Sequence, residues 1–243
     1  MKILLYGFSG KMGQAIISAL SSDDQVIMGV DRHTPVNESL LAKIDLAMDF
    51  SSPEGTLDLI EIAQNYYIPV VIGTTGLNEE QKQKIFSAAQ KIKIFYASNF
   101  SVGINVLNKL IQLATYLLPK KFQIEIIERH HRHKKDAPSG TAVTFLETIQ
   151  QVRSNTFPVY GRRGRTERTD NEIGIHSLRC GEIFGEHEVI FEGEQEEITL
   201  KHRAFDRKIF AKGALFAAKW LLECKQPYGL FSMNDLIDFS DSK

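Results

Sequence analysis

The chain is short of most features that would mark a special class. It has two cysteines in 243 residues, Cys180 and Cys224. They are too few and too far apart for a disulfide framework or a Cys-x-x-Cys metal site, so two reduced thiols in a cytoplasmic protein are the expectation. No stretch approaches eighteen uninterrupted apolar residues, which leaves no segment to span a bilayer. The first apolar run, Ile3-Leu4-Leu5-Tyr6, ends at Gly7, too early for the core of a secretory signal. Charge of one sign is missing as well. Lys and Arg number 29 against 30 Asp and Glu, a net charge of −1, which excludes a generally basic nucleic-acid coat or a membrane binder driven by bulk charge. There is no internal repeat and no low-complexity segment. What remains is an ordinary globular composition, 43% hydrophobic and 24% charged, long enough for one large domain or two modest ones.

Periodicity divides the chain. Residues 2–6, 25–31, 46–50, 70–72 and 94–97 read as buried strands. Between and after them lie helical patterns at 11–20, from Pro53 through 65, at 79–91 behind an Asn78 cap, and at 102–118 up to Pro119. Such alternation predicts right-handed crossovers and a parallel sheet covered on both faces, an α/β unit of the Rossmann type. After Pro119 the pattern changes. A strand at 123–130, a helix at 139–151 and a Gly/Arg-rich loop at 155–171 lead to three strands at 172–179, 186–192 and 197–202. Consecutive strands with short connections predict a smaller α+β domain with an antiparallel or mixed sheet. An amphipathic helix at 209–222 closes the pattern, and the domain boundary falls between Ser98 and Pro119.

The first strand runs into Gly7-Phe8-Ser9-Gly10-Lys11-Met12-Gly13. Glycines at this turn allow close backbone approach to a pyrophosphate, which then rests on the N–H groups at the helix start. The spacing GxxGxxG is a variant of the usual GxGxxG and is weak by itself; its place at the first strand-to-helix turn strengthens it. Asp31 follows the second strand, where a carboxylate accepts from ribose hydroxyls, and Arg32 is placed to pair with a 2′-phosphate. Use of both NADH and NADPH is predicted. A solvated turn pair is the plain alternative for Asp31 and Arg32. Gly73-Thr74-Thr75-Gly76 and Ala97-Ser98-Asn99-Phe100 leave later strands at the same sheet edge, where a helix-entry turn competes with a nicotinamide contact.

The one concentrated charge is Arg129-His130-His131-Arg132-His133-Lys134-Lys135, running into Asp136-Ala137-Pro138-Ser139-Gly140-Thr141. Cations beside a helix start predict an anion site, and neighbouring cations should lower histidine and lysine pKa values. Three other readings stay open here. A metal site is opposed by the flanking Arg and Lys. A phosphate-backbone contact to nucleic acid lacks aromatic interleaving. A solvated loop of charges sits awkwardly with so long a basic run. Ser139 lacks the GxSxG elbow of a hydrolase nucleophile.

The run from Glu128 to Ala142 resembles the signature E-x-H-H-x-x-K-x-D-A-P-S-G-T-A of the 4-hydroxy-tetrahydrodipicolinate reductases, also called dihydrodipicolinate reductases, of bacterial diaminopimelate and lysine biosynthesis. Supporting matches are the Gly7 to Gly13 turn, Asp49-Phe50-Ser51, Gly73 to Thr75, Asn99-Phe100-Ser101-Val102-Gly103, Ile173-Gly174-Ile175-His176-Ser177-Leu178-Arg179 and Gly185-Glu186-His187. The resemblance implies NAD(P)H-dependent reduction of 4-hydroxy-tetrahydrodipicolinate to tetrahydrodipicolinate, with loss of water and without a metal. It implies His130 and Lys134 as the acid/base pair, with Lys134 favoured as proton donor. His131 would contact the substrate, a small dicarboxylate, and Gly140 with Thr141 would hold one carboxylate. Cofactor contacts would come from Gly7, Phe8, Ser9, Gly10, Lys11, Met12, Asp31, Arg32, Gly73, Thr74, Thr75, Ala97, Ser98, Asn99 and Phe100. It also implies a dinucleotide-binding domain of residues 1–102 with 208–243, a substrate-binding and oligomerisation domain of residues 103–207, and a homotetramer with no nucleic-acid or membrane partner. Two departures are visible: Arg179-Cys180-Gly181 stands where Arg-Gly-Gly is usual, and 150–158 is short. Another Rossmann-type dehydrogenase of a small anionic substrate, or a nucleotide-sensing protein without catalysis, are the competing classes.

Overall fold

The structure, a computed structural model, describes residues 1–237. The chain forms two compact units, Met1–Val102 together with the chain from Lys208 onward, and Gly103–Arg207. In chain order the first unit contains β1 (Lys2–Tyr6), α1 (Lys11–Ala19), β2 (Gln25–Val30), α2 (Glu38–Leu41), β3 (Leu46–Asp49), α3 (Pro53–Tyr66), β4 (Val70–Ile72), α4 (Glu79–Ala88) and β5 (Lys93–Tyr96). The helix α5 (Val102–Leu117) begins at the junction. Then come β6 (Gln123–His130), α6 (Gly140–Val152), β7 (Phe157–Tyr160), β8 (Glu172–Arg179), β9 (Gly185–Glu192) and β10 (Glu197–Ala204). The chain re-enters the first unit with α7 (Lys208–Glu223), β11 (Gly229–Phe231) and α8 (Met233–Leu236).

In the first unit six parallel strands lie in the order β11-β5-β4-β3-β1-β2. Runs such as Val70-Val71-Ile72 carry no polar alternation because both faces are covered. On one side Leu4, Ala47 and Val70 pack against Leu59 and Ala63 of α3 and Ile85 of α4. On the other, Leu5, Met48 and Val71 meet Ile16 of α1 and the alanine-rich face of α7. Ser52 caps α3 by accepting from the Gly55 N–H, with Pro53 at the first helical position. The strand order reverses between β1 and β3, and the loops at their carboxyl ends open into the crevice such a reversal creates.

The second unit has a mixed sheet, β10-β9-β6-β8-β7, with β6 parallel to β8 and antiparallel to β9. Along β6 the side chains alternate. Ile124 and Ile126 pack with Phe145 and Ile149 of α6 and with Leu107 and Ile111 of α5. Glu128 and His130 share that face by the two-residue period.

Two strands arise where the sequence pattern showed none. β7 lies inside the Gly/Arg-rich stretch; its Pro158 has no N–H to give a ladder, and an edge strand tolerates that. β11 is three residues long, starting at Gly229, and covers the β5 edge. The substitution at Cys180 leaves the turn intact, since the left-handed φ of 54° falls on Gly181.

Candidate active site

In the first unit the site is made largely of backbone. Gly7 has φ 77°, and a Cβ there would lie 2.3 Å from the Phe50 carbonyl oxygen. Gly10 is the N-cap of α1 without a side-chain cap, and its N–H donates to the Gly7 carbonyl at 3.0 Å. Gly13 brings the helix against that turn: a Cβ would meet the Gly7 oxygen at 2.2 Å and the Phe8 oxygen at 2.6 Å. A cavity of about 610 Å³ opens beside the turn, lined by Gly7, Ser9, Gly10, Asp31 and Arg32 of the expected residues. Asp31 accepts the Ser9 N–H with both carboxylate oxygens, each at 3.1 Å, and so ties the turn to the end of β2. This cradle, closed to any side chain at Gly7 and Gly13, fits the pyrophosphate and ribose of a dinucleotide.

The remaining expected residues of this unit sit differently. The Phe8 ring covers Gly29, Lys11 is exposed, and Met12 packs partly buried against the core. Thr74 is buried, and its hydroxyl donates to Asp49 at 2.8 Å while accepting the Ser51 N–H at 3.0 Å. Asp49 also accepts from Ser51 and Thr56. Burial pushes its carboxyl up against these hydrogen bonds. Gly73 fits flush to the Phe50 ring, which stands 5.6 Å from the Phe100 ring in the core. Thr75 and Ser98 are exposed at the carboxyl edge, Ala97 is buried, and Asn99 accepts the Ser101 N–H at 2.8 Å. None of residues 73–75 or 97–100 lines the cavity; Phe50, Ser51 and Ser52 do. Their signal in the sequence was the end of the third strand, the same edge that singled out the other loops.

In the second unit side chains make up most of the site. His130 is nearly buried, with Nδ1 2.6 Å from Glu128 and its ring edge-on to His187 at 5.1 Å. His187 shares a 2.9 Å hydrogen bond with the Ser139 hydroxyl, which accepts the Ala142 N–H as the N-cap of α6. Burial, and then the neighbouring His130, lowers His187 to about 3, so this imidazole is neutral. His131 is lowered as well, by burial before any effect of His133.

The basic run does not act as one positive field, as its composition suggested. Arg129 turns to the other face of β6 and pairs with Glu186. Arg132 and His133 face Glu182, at 3.5 and 3.9 Å, and Lys134 lies 2.8 Å from Asp136. That hydrogen bond from Lys134 holds the Asp136 carboxyl below its usual range. Gly140, which faces open space, and Thr141 take the first positions of α6, where N–H groups point out of the helix end. Sequence reasoning gave no role to Glu128, Arg179 or His187, although all three stood inside its motifs. Among the described residues, no group of three or more His, Cys, Asp or Glu is placed to hold a metal ion.

Comparisons with known proteins agree over both units. Residues 1–100 match the family described as "Dihydrodipicolinate reductase, N-terminus", and residues 103–237 match "Dihydrodipicolinate reductase, C-terminus". The 4-hydroxy-tetrahydrodipicolinate reductase of Caldanaerobacter subterraneus subsp. tengcongensis is 43% identical, with 98% of each chain covered. The protein of that name from Campylobacter jejuni is 43% identical over 98% of this chain and 99% of its own. Among solved structures, a dipicolinate-bound dihydrodipicolinate reductase from Paenisporosarcina sp. TG-14 superposes with a TM-score of 0.80 at 26% identity, over 98% and 99% of the two chains. A probable dehydrogenase from Thermotoga maritima, TM-score 0.60 at 11% identity over 97% and 92%, shares the fold alone.

Proposed function

The chain belongs to the dihydrodipicolinate reductase family, and from that membership we propose how its own residues serve the family's reaction. It is a nicotinamide-dependent oxidoreductase that reduces 4-hydroxy-tetrahydrodipicolinate to tetrahydrodipicolinate with loss of water, in diaminopimelate and lysine biosynthesis. The observation that carries the residue assignment is local. An imidazole backed by a buried carboxylate, an ammonium and a helix N-terminus all belong to one short stretch, residues 128–141.

The turn at Gly7 to Gly10 and the Asp31 carboxylate hold the pyrophosphate and ribose, and Arg32 takes a 2′-phosphate when there is one, so that NADH and NADPH both serve. The bound nicotinamide supplies a hydride. The first turn of α6, at Gly140 and Thr141, binds one substrate carboxylate, aided by the partial positive charge of the helix end. His131 lies beside the same loop and contacts the substrate. Lys134, paired with Asp136, protonates the ring as negative charge builds there, and His130 is its acid/base partner. We place the reaction in the cytoplasm, where the two unpaired cysteines would stay reduced. No helix among the described residues is long and apolar enough to cross a membrane.

The assembly is a homotetramer built on the sheet face opposite α5 and α6. Support comes from half-buried Ile127 and Ile190 and exposed Leu178 on that face. Sedimentation showing a monomer at working concentration removes this part. The reaction itself is tested by supplying purified protein with substrate made in situ by the preceding synthase, and following the absorbance of NADH and of NADPH. Oxidation dependent on that substrate is expected with both; none with either overturns the reading.

A further inference from the structure

Glu128 has no solvent exposure and no step of the reaction assigned to it above, yet four hydrogen bonds from His130, Arg179 and Ser139 converge on it. One oxygen, Oε2, lies 2.6 Å from His130 Nδ1 and 2.8 Å from Arg179 Nη1. The other, Oε1, accepts from Arg179 Nη2 at 2.6 Å and from the Ser139 N–H at 3.1 Å. Burial alone would raise this carboxyl; the hydrogen bonds from His130 and Arg179 outweigh it and hold the group well below the usual carboxylate range. An ionised carboxylate can only accept. The imidazole proton therefore sits on Nδ1, and Nε2 is the nitrogen left to take up or release one. Gly185 opposite keeps that nitrogen clear, since a Cβ there would come within 3.1 Å of Nε2.

We propose that Glu128 is a positioning residue that fixes His130 with Nε2 as its working nitrogen and, through Ser139, anchors the carboxylate-binding turn of α6 to the same point. The inference rests on the roles of His130, Gly140 and Thr141 given above. Arg179 completes the anchor. It donates to both Glu128 oxygens and also to the Asp136 carbonyl at 2.6 Å, so the loop bearing Lys134 is tied to the same carboxylate. The other titratable groups around His130 are His187 on β9, with His202 of β10 behind it, and His131 and Lys134 on the loop. His187 is neutral and supplies a ring wall rather than a charge. Glu128 is thus the carboxylate that selects the tautomer.

A double-mutant cycle on the full-length enzyme reads the coupling directly. Glu128→Gln is expected to lower kcat by about 10- to 100-fold, the range typical for a residue that orients an active group, with the cofactor KM within about 2-fold of wild type. In a His130→Gln background the same change should lower kcat by no more than about 2-fold. Equal fold-losses in the two backgrounds overturn the proposal. So does full activity in Glu128→Gln when His130→Gln is impaired, and that result leaves the acid/base reading standing. Near-normal turnover in His130→Gln overturns the acid/base reading and this inference with it. Isotope-labelled nitrogen NMR of the wild-type enzyme needs no variant to fold. A protonated Nδ1 with a bare Nε2 is expected on neutral His130, and the reverse tautomer overturns the assignment.

Discussion

The two regions proposed to handle ligands in this chain are both suited to an anionic guest, with different material. The cleft at β1 and β3 is backbone: glycines without side chains, N–H groups at a helix start, and one carboxylate braced by a main-chain donor. The site on β6 and α6 also offers the N–H groups of a helix start, at Gly140 and Thr141, but sets beside them a network of side chains: Glu128, Arg179, His130, His187 and Ser139, locked by hydrogen bonds among themselves. A backbone cradle tolerates no added atom but asks little of chemistry. A side-chain network tolerates shape changes poorly in another sense, because removing one member leaves a buried polar partner unsatisfied. The first region should therefore fail by sterics and the second by chemistry.

The hardest test of that contrast is Gly13→Ala. Its Cβ would meet two carbonyl oxygens of the neighbouring turn, at 2.2 and 2.6 Å, and backbone cannot move aside cheaply. A stability loss of about 3 kcal/mol is expected from such overpacking, together with weaker NADH binding. Denaturant unfolding and cofactor titration measure the two, and a variant as stable as wild type refutes the close-approach argument. Lys134→Ala should act in the opposite manner. The fold and the cofactor KM stay as they were, while kcat falls by about 100-fold or more, the usual contribution of a general acid. Near-normal turnover reassigns the proton donor.

A subtler difference between the regions is their response to acid. His187 is lowered to about 3 in the folded chain from its ordinary 6.5, so the unfolded chain takes up the proton first. Its stabilising contribution is complete above pH 6.5 and is lost as pH falls from there toward 3. Between pH 8 and pH 5 this amounts to about 2 kcal/mol. Urea unfolding of the wild type should show that loss, and His187→Gln should flatten it. An unchanged slope in the variant moves the acid sensitivity elsewhere.

The contrast also explains what could be read from the sequence. The parallel sheet and the Gly7 to Gly13 turn announce themselves locally, because backbone sites depend on glycine spacing along the chain. The run from Glu128 to Ala142 was legible as a motif, but its internal division was not. Arg129 and His130 are adjacent in sequence and lie on opposite faces of β6, so one pairs with Glu186 and the other with Glu128. Arg179 comes 51 residues after Glu128 and meets it only because β6 and β8 pair in parallel. Phe50 to Ser52 reach the cavity beside the Gly7 turn through the reversal of strand order beside β1, a relation between strands that no local spacing reports. β7 and β11 are short, and unlike the equally short Val70-Val71-Ile72 they carry Pro158 and Gly229 in place of an unbroken apolar run.

Arg32 is, beside Asp31, the side chain proposed to act in the backbone-built cleft, and the smallest effect is expected there. It is exposed, and among the described residues lining the cavity it is the one cation, sharing the lining with the carboxylates of Asp31, Glu54 and Asp58. Its charge reaches Glu54, whose carboxyl is held low first by its own N–H and the Ser52 hydroxyl, and to a lesser degree by Arg32. A 2′-phosphate entering here gains one guanidinium and meets three carboxylates, whereas the ribose hydroxyls of NADH need only the acceptor at Asp31. The two forces oppose each other, so neither cofactor should be preferred by more than about 100-fold, about 2.7 kcal/mol. Removing the cation should unbalance them by little, since an exposed ion pair is screened and contributes about 1 kcal/mol. Arg32→Ala is therefore expected to raise the NADPH KM about 5-fold and leave that for NADH within about 2-fold, and the gap should narrow as salt is added. Equal effects on both cofactors would mean that Arg32 shapes the cleft rather than reading the phosphate, leaving Asp31 as the side chain with which the first region meets its guest.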